Sequence, residues 1–302
     1  MITQERIRTS FFEEEKRGGY TITTEMKKVW AVELELLDEF DRVCKQLKIN
    51  YFLDSGTLLG AVRDAHFIPW DDDIDLIMLR KDYDVLVSDM GKSFQKEYLL
   101  QCAYTDIDYP RGHAQLRKKG TCAMIPSEAE HVKFNQGIFM DIFVLDGIAP
   151  DSKKLAEQFK KKNRIHRIIN TLCNPFSDNI AKTIIKHLLC GPYRFIYKDV
   201  KSLFAIYEEL CKEYEGAEYV DKIMFRRDCG KVLYLKKEWF SDRKYMLFEG
   251  KQYPVPSHYK DVLEIYYGKD YMTPKKAPSM LGGLIIDVEK SYKDVLKENS
   301  KR

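Results

Sequence analysis

Several features that would define a class of function are missing from this 302-residue chain. Its seven cysteines are odd in number and form no C-x-x-C pair, which disfavours zinc ribbons and secreted disulfide frameworks. No apolar run approaches the length of a membrane span, and the N-terminal sequence is too charged for a signal peptide. Internal repeats and low-complexity linkers are also absent. We therefore expect a cytoplasmic protein with reduced, mostly buried thiols.

The composition is that of a folded globular protein, with 44% hydrophobic and 13% aromatic residues. The net charge is only +3, but the charge is distributed unevenly along the chain. Residues 151–202 carry twelve Lys/Arg and four Asp/Glu, a net charge of +8. A basic segment on a mildly acidic body favours an anionic surface as a partner.

An acidic cluster lies at the start of an apolar run, and its four carboxylates are those of Asp71, Asp72, Asp73 and Asp75. If residues 73–78 form a strand, Asp73 and Asp75 project on one face, roughly 6.5 to 7 Å apart, while residues 74, 76 and 78 project toward a core. Two carboxylates at that spacing suit a hard divalent cation such as Mg²⁺. A solvated acidic loop would explain Asp71 and Asp72, but it explains Asp75 inside the apolar run less well.

A turn at Gly56-Thr57 precedes this cluster and leads into a short helix that ends near Arg63. A glycine there lets backbone N–H groups approach an anion, and a helix N-terminus favours phosphate. Ser55 and Thr57 add hydroxyl groups. Such turns are common and mostly structural, so the turn alone is a weak signal.

A second informative stretch, residues 137–147, predicts a buried strand that ends in a turn at Asp146-Gly147. The turn explains Asp146, whereas Asp141 stands between large apolar residues. A buried carboxylate without a partner costs several kcal/mol or shifts its pKa. A metal ion shared with Asp73 and Asp75 would remove that cost, and so would a hydrogen bond to the backbone or an arginine.

Together these motifs resemble the LicD family of the nucleotidyltransferase superfamily. The resemblance rests on DSGTLLGAVR, FIPWDDDIDL and GIFMDIF, and on FEG, PVP and YGKDYM nearer the C-terminus. It implies an α/β fold in which a small mixed sheet of nucleotidyltransferase type is flanked by helices, with a helical insertion. It also implies that Asp141 joins Asp73 and Asp75 on a neighbouring strand.

The resemblance further implies an enzyme that transfers a phosphorylated alcohol, most often phosphocholine, from a CDP-linked donor. The acceptor would be a hydroxyl of a surface glycan, such as lipopolysaccharide or teichoic acid, or its lipid-linked precursor. Asp73, Asp75 and Asp141 would be catalytic and would hold Mg²⁺ or Mn²⁺. The alternatives are CDP-ribitol, CDP-glycerol or CDP-ethanolamine as donor, nucleotidyl transfer, or a pseudoenzyme that binds glycan or lipid. No nucleic-acid partner is expected.

Seven residues are predicted to contact the substrates: Ser55, Gly56, Thr57, Arg63, Trp70, Arg117 and Lys118. The first four would bind the phosphates and neutralise their charge. Trp70 would face the quaternary ammonium group, although packing of its own loop explains it equally well. Arg117 and Lys118 are candidate phosphate contacts by resemblance, and a solvated hairpin is the alternative.

The chain is divided into a catalytic core at 1–150, a basic helical insertion at 151–215 and a C-terminal part at 216–302 that packs on the core. The insertion carries two apolar stripes, one on either side of Asn174-Pro175, and a basic cluster at Lys160–Arg164. A helical pair packed on the core with a solvated basic face is the favoured interpretation. An interfacial segment that contacts anionic lipid weakly is the alternative.

Overall fold

The computed structural model describes residues 9–174, 176, 179–197, 199–275 and 283–299. Its helices in that part of the chain are α1 (Thr24–Leu47), α2 (Ser55–Arg63), α3 (Arg80–Ser88), α4 (Ser152–Cys173), α5 (Ile180–Ile196), α6 (Val200–Lys212), α7 (Tyr259–Tyr267) and α8 (Tyr292–Asn299). Its strands are β1 (Glu15–Arg17), β2 (Tyr20–Ile22), β3 (Phe52–Leu53), β4 (Asp75–Leu79), β5 (Tyr98–Gln101), β6 (Ala114–Lys118), β7 (Cys122–Met124), β8 (Phe139–Gly147), β9 (Tyr219–Asp221), β10 (Leu235–Lys236), β11 (Arg243–Phe248), β12 (Lys251–Pro256) and β13 (Ile285–Asp287). None of these helices has the length and apolar character needed to cross a membrane.

The central sheet is mixed, and β8 is its longest strand. On one side β8 pairs in parallel with β4, which in turn pairs antiparallel with β3. On the other side β8 pairs antiparallel first with β6 and then, at its C-terminal end, with β9. The strands β5 and β10 extend the sheet beyond β6 and β9. This arrangement confirms the predicted α/β fold with a small mixed sheet flanked by helices.

The interior of the sheet is apolar because β4 and β8 are covered on both faces. Ile74, Leu76, Ile77 and Met78 are all fully buried, as continuous apolar runs in parallel-paired strands are expected to be. The helices α1, α3 and α6 contact β8 and supply the cover.

The apolar residues of 25–48, among them Val29, Leu36 and Phe40, recur at helical spacing and predict a helix, which the structure forms as α1. The Thr23 side chain accepts a hydrogen bond from the backbone N–H of Met26 at its N-terminus, and Lys48 ends it in the left-handed conformation. Its buried stripe, which includes Trp30, Leu37 and Phe40, belongs to the main core. Nearer the C-terminus Gly268, with φ +86°, ends α7.

The segment from α4 to α6 combines two kinds of helix. The apolar stripe of α4, including Phe159 and Ile169, is buried, and α4 packs against α6. Lys162, which we expected in a solvated basic cluster, is fully buried instead: its Nζ donates to the carbonyl of Arg226 at 2.6 Å. By contrast, α5 contains no buried residue. The packed interpretation therefore holds for the stripe of α4, whereas the stripe of α5 is solvent-exposed.

Asp146 is a correction to the sequence interpretation, because it lies within β8 and not in a turn. Its carboxylate accepts two hydrogen bonds from Arg80, at 2.7 and 2.8 Å, deep in the protein. Arg80 also donates to Glu208 of α6 at 3.2 Å. This buried arginine therefore joins the sheet to the helical segment, which sequence spacing could not indicate.

Candidate active site

The three predicted metal ligands lie together near the N-terminal ends of the paired strands β4 and β8. Asp75 and Asp141 are paired residues of the two parallel strands, so their side chains project side by side. Asp73 lies just before β4, and a carboxylate oxygen of each of the three residues lies within 4.8 Å of the others. Asp73 is outside the strand, contrary to prediction, because the pairing of β4 with β8 begins only at Asp75. The chain nevertheless brings all three carboxylates together.

The carboxylates affect one another strongly because little solvent screens them. Burial raises the pKa of Asp73 well above its ordinary range, and the charge of Asp75 raises it further. Burial raises the pKa of Asp75 to about 8, against an opposing effect of Lys222. Burial and the neighbouring Asp72 raise the pKa of Asp71 to about 7. A bound cation would stabilise the ionised forms of these groups.

Asp141 is the exception, because two side chains stabilise its ionised form. Burial favours the neutral acid, but His113 and Gln115 outweigh that effect and leave the pKa of Asp141 lowered. His113 Nε2 lies 3.0 Å from Asp141 Oδ1, and Gln115 Nε2 donates to the same oxygen at 2.6 Å. These partners are neither the backbone group nor the arginine that the sequence suggested as alternatives to a metal.

Arg117 contributes to this arrangement indirectly, which corrects its predicted role as a phosphate contact. The guanidinium is buried and donates to Gln101, to the Gly137 carbonyl and to Gln115 at 2.5 to 2.6 Å. Gln115 is thereby oriented to donate to Asp141. Burial lowers the pKa of Arg117 to about 10, so it stays charged at neutral pH. We therefore regard Arg117 as a positioning residue.

The predicted Gly56-Thr57 turn is the first turn of α2. A side chain at Gly56 would overlap with the Asp71 carboxylate, so glycine permits that close approach. The Thr57 hydroxyl accepts a hydrogen bond from the Asp75 backbone N–H at 2.9 Å. Thr57 therefore holds the start of β4 in place, and its contact with phosphate stays a prediction. Ser55, at the N-terminus of α2, has φ +47°.

A lysine that the sequence motifs did not indicate lies beside the N-terminus of α2. Lys222, which follows β9, forms an ion pair with Asp54, and its Nζ lies 3.0 Å from Ser55 Oγ. The ammonium group also lies over the Phe143 ring, 4.4 Å from its centroid. Tyr266 donates to the other oxygen of Asp54 at 2.9 Å. Lys222 stands far from the motifs in sequence, so no local pattern could have identified it.

Glu33 of α1 is a second acidic group that sequence reasoning missed. It is 2% exposed, and its Oε2 has no hydrogen-bond partner among the described residues. Burial, and then the charge of Asp73, raise its pKa well above the ordinary range. With Asp72, Asp73 and Asp141 it lines a cavity of about 130 Å³. The sequence did contain one indication of this group, because Glu33 lies within the apolar stripe of α1, three residues after Trp30.

The remaining predicted contacts lie around the site with partners of their own. Arg63 binds Asp64 at 2.8 Å and lowers the pKa of Asp71 against the effect of burial. Lys118 binds Glu35 at 2.9 Å. Trp70 is half-buried, and its ring packs edge-to-face on the ring of Tyr20, with 6.3 Å between the two centroids. Arg63 therefore neutralises part of the acidic cluster, and the role of Trp70 stays a prediction.

A larger cavity, of about 480 Å³, adjoins the site on the side of His113. Its lining includes the basic side chains of Arg111, Lys186 and Arg227, one acid, Glu128, and the ring of Phe225. His113 belongs to both regions, since its ring lines this cavity while Nε2 bonds Asp141. Its other nitrogen, Nδ1, is buried without a hydrogen-bond partner in the described structure.

Comparison with known proteins agrees with these observations. Residues 48–121 match a family model described as the nucleotidyltransferase domain of LicD, FKTN and FKRP. The lipopolysaccharide cholinephosphotransferase LicD of Haemophilus influenzae is 30% identical over 239 residues, which are 79% of this chain and 88% of that protein. An uncharacterized protein of Rickettsia prowazekii is 30% identical over 112 residues, 37% of this chain and 38% of its own length. The match to LicD spans most of both chains, and this chain belongs to the LicD family.

Proposed function

We propose that this protein transfers phosphocholine from a CDP-linked donor to a hydroxyl group of a cell-surface glycan or its lipid-linked precursor. The observation that carries the proposal is the group of three carboxylates, Asp73, Asp75 and Asp141, in a chain of this family. The Haemophilus relative is named as a cholinephosphotransferase acting on lipopolysaccharide, which supports the choice of alcohol and acceptor.

The carboxylates fit a hard divalent cation, Mg²⁺ or Mn²⁺. They offer only oxygen ligands, and in its absence the pKa values of Asp73 and Asp75 are raised. Asp73, Asp75 and Asp141 would hold the ion, and the hydrogen bonds of His113 and Gln115 would orient the Asp141 carboxylate toward it. When bound, the ion would neutralise charge on the donor diphosphate and lower the pKa of the acceptor hydroxyl.

The side chains around the triad supply positioning and charge. Lys222 and Ser55 offer a cation and a hydroxyl at the N-terminus of α2, where a phosphate is favoured. The basic cavity beside His113 suits a phosphate-bearing ligand on the other side of the triad. The acceptor oxygen forms a bond to phosphorus as the bond to CMP breaks, and the acceptor proton passes to Asp75 or Asp141.

The aromatic contact for the quaternary ammonium group has two candidates. Trp70 adjoins the acidic cluster in sequence and is partly accessible. Tyr267 is 39% exposed and follows Tyr266, whose hydroxyl donates to Asp54 beside the acidic cluster at 2.9 Å. Either ring could bind the cation with about 1 kcal/mol.

The proposal is tested by measuring release of CMP from CDP-choline in the presence of a glycan acceptor, with Mg²⁺, with Mn²⁺ and with chelator. Asp73→Asn and Asp75→Asn should each lower turnover about a thousandfold, equivalent to about 4 kcal/mol of lost charge stabilisation, while the fold survives. Asp242→Asn, at an exposed acid outside the site, is the matched control.

Near wild-type turnover in either triad variant at saturating Mg²⁺ would contradict the ligand assignment. Release of CMP from CDP-ribitol, CDP-glycerol or CDP-ethanolamine, but not from CDP-choline, would keep the reaction and change the alcohol. Binding of Mn²⁺ without turnover of any donor would favour a binding protein.

A further inference from the structure

Helix α5 presents its apolar side chains to solvent. Phe195 is 93% exposed, Ile180 79% and Leu188 71%. The other large apolar residues on this surface are at least one-third exposed: Ile184, Ile185, Leu189 and Ile196. Exposed apolar surfaces of this kind mark sites of interaction.

The orientation of α5 is the reverse of that expected for a helix on a protein surface. At 100° per residue, all seven of these side chains lie on one half of the helix. The other half contacts the protein: Lys186 Nζ donates to the Asn174 carbonyl at 3.1 Å, Cys190 Sγ donates to the Thr171 carbonyl at 3.4 Å, and Tyr193 packs against the core. The polar half therefore anchors α5, and the apolar half is left without a partner in the described chain.

The charges of α5 favour an anionic partner. The helix contains Lys182, Lys186 and Arg194 and no acidic residue. Lys182 and Arg194 flank the apolar half on its two sides at helical spacing. A second copy of the chain packed on this face would bring these like charges together without an acid of α5 between them, which is unfavourable.

We propose that α5 lies on the surface of an anionic lipid bilayer. Its apolar half enters the boundary between headgroups and acyl chains, while Lys182 and Arg194 contact the anionic headgroups. The helix is about 25 Å long and lies parallel to the membrane, not across it. This inference rests on the exposed surface and its charges, and it is independent of the reaction proposed above.

Docking through α5 would also bring the basic cavity close to the bilayer. Asn174 and Lys186 line that cavity together with His113, which bonds the triad residue Asp141. A glycan acceptor anchored in lipid would then meet the site from the membrane side, a consequence that does depend on the proposed function.

The test is sedimentation of the full-length protein with vesicles of phosphatidylcholine alone or mixed with phosphatidylglycerol, at low and high salt. We expect binding to the mixed vesicles that weakens with salt, because charge attraction is screened over about 10 Å at 0.1 M. Ile184→Asp with Leu188→Asp should lower the bound fraction about tenfold. Lys182→Gln with Arg194→Gln should reduce the preference for phosphatidylglycerol.

Val85→Asp with Ile206→Asp is the matched control, since it makes the same charge change at exposed apolar residues of α3 and α6. It should bind vesicles like the wild type. Equal loss in the control and the α5 variant, no binding of the wild type, or equal binding to neutral vesicles would each overturn the proposal. A wild-type dimer that the α5 variant converts to a monomer, without vesicle binding, would assign the face to a second copy. Release of CMP with a soluble acceptor should persist in the α5 variant, so that measurement judges the proposed reaction separately.

Discussion

At the scale of single residues, the neighbours of the carboxylates determine what the triad can do. Asp75 and Asp141 are paired across the sheet, yet the pKa of one is raised and that of the other is lowered. The difference follows from their partners, because Asp141 has His113 and Gln115. For Asp75 the charge of Lys222 opposes the effect of burial on the pKa without outweighing it, and a bound cation would favour the ionised form.

Lys222→Met should therefore raise the pKa of Asp75 further, because it removes the positive charge that opposes the effect of burial. We expect weaker Mn²⁺ binding at neutral pH and a shift of the binding curve toward alkaline pH by about one unit. Isothermal titration of Mn²⁺ at several pH values measures both effects.

Lys222→Arg keeps the charge and serves as the control, since it should shift the curve less than Lys222→Met does. Identical pH profiles for Lys222→Met and the wild type would show that Lys222 acts only as the partner of Asp54.

At the scale of elements, periodicity and motif spacing predict those parts of the fold that local sequence determines. The spacing indicated α1 and the strand β8 directly, and the DSGT and DDDID motifs indicated the elements that carry the site. Lys222 and His113 could not be predicted in the same way, because the sheet pairing and the loop after β9 bring them to the carboxylates. The same limit applies to α5: periodicity gives the stripe, but only tertiary packing determines which half faces inward.

The effect of tertiary packing on neighbouring residues can be tested in helix α4, because its basic cluster contains both a buried and several exposed side chains. Lys162→Gln should destabilise the protein by about 1–3 kcal/mol, since the buried side chain loses its 2.6 Å hydrogen bond to the Arg226 carbonyl. Lys160→Gln with Lys161→Gln should change the free energy of unfolding by less than about 0.5 kcal/mol, because both residues are exposed. Chemical denaturation measures the two variants under the same conditions, and equal destabilisation would contradict the buried placement of Lys162.

At the scale of the whole molecule, the buried carboxylates link stability to pH in the metal-free protein. The pKa of Asp75 rises from 3.8 to about 8 on folding, so its stabilising contribution is complete below pH 3.8 and is lost as pH rises through 8. Burial lowers the pKa of His166 from 6.5 to about 3, so this group reduces stability only as the pH falls below 6.5. Metal-free protein should therefore lose about 2 kcal/mol of stability between pH 6.5 and 8.

Thermal unfolding over that pH range, with chelator present, checks this expectation. Asp75→Asn should flatten the dependence, and Mn²⁺ added at pH 8 should restore stability to the wild type but much less to the variant. A wild-type midpoint that stays constant or rises over this range would contradict the raised pKa values.

The pairing of Asp75 with Asp141 has a consequence for how the chain reaches its native state. Because side chains alternate along a strand, a slip of one residue between β4 and β8 would turn Asp141 into the core and Ile142 out of it. A mispaired chain would thus lose the carboxylate triad and its packing in one step, so no stable mispaired form should accumulate. A cation that binds only the correctly paired triad would add its binding free energy to that register alone. Such an ion would therefore raise the population of the correctly paired form relative to mispaired ones.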